Sequence, residues 1–101
     1  MINVLSTCNV VIGKRAEFEE AFKELIALYD KHGAKLVGFW WTIGGEGNEA
    51  IWINTWKDIG NYEKGNEEAR NDKDYPLERI ASTVITYTDK ILKPSTLSPL
   101  K

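Results

Sequence analysis

Four residues are placed to share one small-molecule site: Trp40, Trp52, Asn54 and Trp56. Every tryptophan of the chain, at 40, 41, 52 and 56, falls in the stretch Lys35 to Trp56, KLVGFWWTIGGEGNEAIWINTW. Indole rings at 40, 52 and 56 suit the wall of a pocket for a flat aromatic or quinone-like ligand. The same rings suit packing in a core or at a dimer interface, where aromatics are common. Asn54 lies between Trp52 and Trp56, on their face of an extended run. Its amide can orient a ligand carbonyl or stabilise an enolate-like anion. A hydrogen bond to a neighbouring strand or loop would satisfy it equally. Thr7, Asn9 and Thr42 are lesser candidates of the same type.

Other reactive side chains are sparse. His32 is the only histidine, and beside Gly33 it reads as a surface residue at a helix end rather than a general base. Cys8 is the only cysteine and reads as a small buried hydrophobe in a strand. One histidine and one cysteine on separate elements, with no HxxxH or CxxC spacing, make a poor ligand set. No metal and no cofactor is expected. Gly44-Gly45-Glu46-Gly47 joins strand to strand, whereas a phosphate loop leads into a helix N-terminus, so it reads as a turn.

The elements that position these residues follow from pattern. Leu36 to Ile43 and Ala50 to Trp56 are rich in β-branched and aromatic residues, and a glycine-rich connection makes them a hairpin. In the first of these runs Leu36, Gly38, Trp40 and Thr42 oppose Val37, Phe39, Trp41 and Ile43. Ile2 to Val11 is a strand whose two faces are both partly apolar. A helix runs from about Lys14 to Lys31, with Phe18, Phe22, Leu25, Ile26 and Tyr29 as its apolar stripe and Glu19 with Lys23 as an i,i+4 pair. Asp58 caps a helix from Ile59 to Arg70, which two interior glycines should make the softest ordered part. Pro76 to Ala81 forms a short helix, and Ser82 to Leu92 the last strand. Lys93 to Lys101 is an extended, proline-bearing tail.

The order β-α-β-β-α-β predicts an α+β, ferredoxin-like fold, with helices on one face of a four-stranded antiparallel sheet. The other sheet face is too apolar for water, which predicts a two-fold dimer packed sheet to sheet. At 101 residues the chain, 1–101, reads as one domain. A net charge of −2 argues against a nucleic-acid partner. No apolar run is long enough to span a bilayer. The N-terminus has no secretory pattern and the cysteine is alone, so the cytoplasm is the expected compartment.

The run Gly33 to Asp58 resembles the core signature of the NIPSNAP family, through Leu36-Val37-Gly38-Phe39-Trp40, Thr42, Gly45 and Asn48. Ile91 to Leu100, with Pro94 and Ser98-Pro99, is similar to that family's closing segment. The resemblance covers essentially the whole chain. It implies a dimeric α+β barrel, a superfamily that also holds small cofactor-free monooxygenases, with a pocket between sheet and helices in each subunit. It implies no particular activity. Three positions depart from the family pattern: Ser6 stands where an arginine is usual, Trp52 where a histidine is frequent, and Ile43 where a glutamate is usual.

Three readings of function follow. The first is a homodimer, open to larger assembly, that binds a small apolar or aromatic molecule at Trp40, Trp52, Asn54 and Trp56. The second is a cofactor-independent monooxygenase-like enzyme on an aromatic substrate, which requires a polar group aimed into a closed pocket. The third is a structural or interaction protein whose tryptophans fill the space.

Overall fold

The computed structural model describes residues 1–44 and 48–99. The chain runs β1 (Ile2–Val10), α1 (Arg15–Lys31), β2 (Lys35–Trp41), β3 (Asn48–Trp56), α2 (Ile59–Arg70), α3 (Leu77–Thr83) and β4 (Val84–Leu92). One four-stranded sheet has the order β2-β3-β1-β4, and every neighbouring pair is antiparallel. This is the ferredoxin-like split βαβ arrangement, with a third short helix before the last strand. Gly45, Glu46 and Gly47 of the expected turn, and Leu100 and Lys101 of the expected tail, lie outside the described residues.

Alternation along the strands divides the sheet into two faces, and the register aligns side chains in rows across it. Asp89, Ser6, Trp52 and Phe39 form one row on the helix-covered face, from β4 across β1 and β3 to β2. Ile91, Val4, Asn54 and Leu36 form the next. Leu36 shares this face with Phe39 because the β2–β3 register shifts between Leu36 and Gly38. Strict alternation assigns Leu36 to the face of Gly38 and Trp40, and the shift overturns that assignment.

The core lies between this face and the helices. Phe18, Phe22, Leu25 and Leu28 of α1 are buried against Cys8, Val10, Ala50 and Trp52. Phe22 meets Trp52 edge-on, with ring centroids 4.9 Å apart. Ala21 and Leu28, not Ile26, complete the buried side of α1, and Ile26 stays partly exposed. Glu19 accepts a 2.7 Å bond from the Trp41 indole, and Lys23 pairs with Glu20 instead of Glu19. The expected i,i+4 pair is therefore replaced because Trp41 reaches across from the sheet.

Gly33 ends α1 with φ +109°, a conformation that favours glycine. His32 caps α1 as expected, but not as a free surface side chain. Its side chain is largely covered, and Nε2 lies 3.0 Å from Asp72 Oδ2, which Lys31 also reaches at 3.2 Å. The Asp58 carboxylate accepts from the Asn61 backbone N–H at 2.7 Å and caps α2 as expected. Within α2, Gly65 is buried where the helix meets the His32 carbonyl and the Trp56 ring. The glycine that made this helix look weak is what lets it approach so closely.

The opposite face carries Leu5 from β1, Ile51 and Ile53 from β3, and Trp40 from β2. No helix covers it. Trp40 lies across Gly38, where an added Cβ would meet the ring at 2.5 Å.

Candidate functional site

A cavity of about 200 Å³ opens between the helix-covered sheet face and the three helices. One end is apolar, walled by Phe18, Phe22 and Trp52 with Leu25, Ile26 and Ile80. The other is polar. Asp89 Oδ1 accepts from the Ser6 hydroxyl at 2.6 Å, and Oδ2 accepts from the Tyr62 hydroxyl at 2.8 Å. Register dictates this pole. Ser6 and Asp89 are direct partners across β1 and β4, and α2 brings Tyr62 over them.

The phenols around the carboxylate are held in their neutral form. Burial, followed by the hydrogen bond to Asp89, pushes Tyr62 up to about 12. Burial and then the Asp89 carboxylate push Tyr87 up as well. Tyr29 is raised to about 12, chiefly by burial, and donates to Asn66 at 3.0 Å. At neutral pH these groups are donors. Arg70, at the exposed end of α2, is the one other charged residue of the lining.

Trp52, Asn54 and Trp56 all line the cavity. The Asn54 amide makes no side-chain hydrogen bond to another described residue, so its donor and acceptor are free toward the cavity. Trp56 packs at 5.6 Å from Tyr62 and 6.3 Å from Tyr29, closing one side. Trp40 does not belong to this group. It stands on the opposite sheet face, half exposed and outside the lining. An even spacing from Gly38 carries it away from Phe39 and Trp41. Cys8 also borders the cavity, but burial pushes its thiol up to about 11, so it behaves as a small apolar group. Among the described residues no three His, Cys, Asp or Glu side chains gather to hold a metal ion. No helix of the described chain is long and apolar enough to cross a membrane.

The NIPSNAP family model matches residues 5–99, both walls of the cavity included. The chain belongs to the NIPSNAP family. No curated protein matches it in sequence. A NIPSNAP family protein with unknown function from Agrobacterium tumefaciens is 22% identical, with a TM-score of 0.87 over 100% of this chain and 94% of that one. An uncharacterized NIPSNAP domain protein from Burkholderia xenovorans is 20% identical, with a TM-score of 0.84 over 98% and 99%. A cofactor-independent oxygenase from Streptomyces nogalater is 16% identical, with a TM-score of 0.67 over 97% and 96%. At these identities the likeness is one of fold.

Two of the positions where this chain departs from the NIPSNAP pattern bear on the cavity. Ser6 and Trp52 are register partners and both line it. Ile43 is fully exposed and lies outside it. Asp89, Tyr62, Tyr87 and Arg70 are the lining residues that the sequence reading passed over. The signal was present in the last strand. Tyr87, Asp89 and Ile91 alternate with Thr86, Thr88 and Lys90, so an acid falls on the face that otherwise carries rings and aliphatics.

Proposed function

We propose that this NIPSNAP protein binds a small, mostly apolar, ring-bearing molecule in the cavity between sheet and helices. The observation that carries the reading is a cavity with an aromatic wall at one end and a hydrogen-bonded carboxylate at the other. An apolar cavity of about 150 Å³ admits a benzene ring, so this volume suits one substituted ring. The cavity weighs against a purely structural role, in which the tryptophans would fill that space. Asn54 and Asp89 supply the few convergent polar groups that fix a ligand's orientation in such sites.

A homodimer belongs to the same proposal, supported by the uncovered face bearing Leu5, Ile51, Ile53 and Trp40. Three strands of nine residues and one of seven present roughly 550 Å² of flat area, about two-thirds of the ~800 Å² per partner of a standard interface. The second reading is a cofactor-independent oxygenase acting on an aromatic substrate. It is favoured by a titratable carboxylate at the cavity and by the fold shared with the Streptomyces nogalater enzyme. Native mass spectrometry of the purified protein tests both the ligand and the assembly. A dimer carrying a bound mass that is lost on denaturation is the expected result. A monomer refutes the dimer. Failure of single-ring compounds to bind at millimolar concentration refutes the cavity reading.

A further inference from the structure

The charge balance of the cavity identifies the ligand's polar end. Asp89 is partly buried, lies on the helix-covered face and lines a mainly apolar space. Among the described residues it forms no ion pair: its oxygens accept from neutral hydroxyls, those of Ser6 and Tyr62, with the Tyr87 phenol also hydrogen-bonded to it. A carboxylate removed from bulk water is ordinarily paired with a cation. A carboxylate also offers about four acceptor positions, so the three hydroxyls leave room for one more donor.

The rings beside it strengthen the preference. Trp52 and Tyr87 lie 5.9 Å apart and Trp56 and Tyr62 5.6 Å apart, and all four line the same cavity as Asp89. Aromatic faces around an anion stabilise an ammonium group and do nothing of the kind for a carboxylate. Arg70 is the single cation of the lining. It lies at the exposed end of α2 beside Tyr29 and forms no ion pair with Asp89.

Resting on the binding reading above, we propose that the cavity takes a small arylalkyl amine in its ammonium form, with Asp89 as the counterion. The row Asp89–Ser6–Trp52 sets the ligand's length. Asp89 and Trp52 are two strands apart, about 10 Å between backbones at the usual strand spacing. Ser6, small and buried, stands between them. That distance fits one ring against Trp52 joined by one or two methylenes to an ammonium on Asp89. The Asn54 amide, one row along, is placed to supply a second polar contact.

The test is isothermal titration of the full chain with three probes on one skeleton: benzylamine, benzyl alcohol and benzoate. Benzylamine should bind at least tenfold more tightly than either of the others. Asp89→Asn should abolish that preference by weakening benzylamine at least tenfold more than benzyl alcohol. Equal binding of amine and alcohol overturns the inference and leaves the apolar-ligand reading standing. Preference for benzoate, lost in Arg70→Gln, overturns it in favour of an acid. Failure of all three probes overturns the inference and the binding reading together. Should Asp89→Asn not fold, the ranking of the three probes on the unaltered protein still decides.

Discussion

The two glycines inside α2 should respond to alanine with opposite signs. Replacing glycine by alanine in a helix interior is ordinarily worth about 0.5–1 kcal/mol in favour of the folded state. Gly60 is exposed, and a Cβ there would meet only Asp58 Oδ1, at 3.4 Å, an ordinary contact. Gly60→Ala should therefore gain close to that full amount. Gly65 is buried, and a Cβ would collide with the His32 backbone carbonyl and the Trp56 ring, well inside any distance real Cβ atoms keep. Neither neighbour yields easily. The carbonyl is backbone, and Trp56 is 2% exposed, wedged between Tyr29 and Tyr62. Overpacking of this kind costs about 1–3 kcal/mol, and with a backbone clash the upper end applies. After the helix gain is offset, Gly65→Ala should lose about 2–2.5 kcal/mol. A domain of this size shifts its Tm by roughly 4–8 °C per kcal/mol, so the two variants should move apart by more than 5 °C. Differential scanning fluorimetry and urea unfolding at one fixed protein concentration will measure both. A Gly65→Ala protein as stable as Gly60→Ala would refute the close approach of α2 to Trp56, and with it one wall of the cavity.

Other perturbations test other parts of the structure. The Asp74 backbone N–H, then His32 and Lys31, hold the Asp72 carboxyl well below its ordinary value. The unfolded chain thus takes up that proton first, so this stabilisation is complete above about pH 4 to 5 and fades as pH falls further. Asp72→Asn should flatten the acid limb of Tm against pH between 2.5 and 5, and an unchanged limb would contradict the contact. Cys8, pushed up to about 11, should resist a disulfide thiol reagent at pH 8 in native protein and react at once in denaturant. Rapid native labelling would show that β1 opens readily. Ile53→Lys, at the centre of the uncovered face, should convert the proposed dimer to a monomer by native mass spectrometry with secondary structure intact. Persistence of the dimer would place the interface elsewhere.

Much of this fold is legible because its signals are local. The alternation of β1, the Phe18–Phe22–Leu25 stripe, Gly33 after α1 and Asp58 before α2 each act within a few residues, and the element order follows from them. The bulge between Leu36 and Gly38 is not local, since it depends on how β2 meets β3, and it turns Leu36 into the core. His32 shows the same limit. Its sequence neighbours describe a helix end, but its environment is set by Asp72, 40 positions away. In Gly65 the propensity argument reads a weakness where tertiary packing demands the absence of a side chain.

The tryptophans show why a cluster in sequence need not be a cluster in space. Trp40 and Trp41 are adjacent, and a strand must send them to opposite faces. Trp41 turns to α1, where its indole donates to Glu19 and the Arg15 guanidinium lies 4.5 Å over its ring. Trp40 lies flat over Gly38 on the uncovered face. Only Trp52 and Trp56, an even number of residues apart on β3, meet the cavity together, and the intervening even position brings Asn54 with them. Asp89 was hidden for the complementary reason. Its alternation with Tyr87 and Ile91 places it on an apolar face, but it gains meaning only once β4 pairs with β1 and sets it beside Ser6. The polar end of the cavity is thus built by strand order, and the apolar end by periodicity. A reading that follows periodicity alone finds the wall that a ring would touch and misses the charge that would choose among rings.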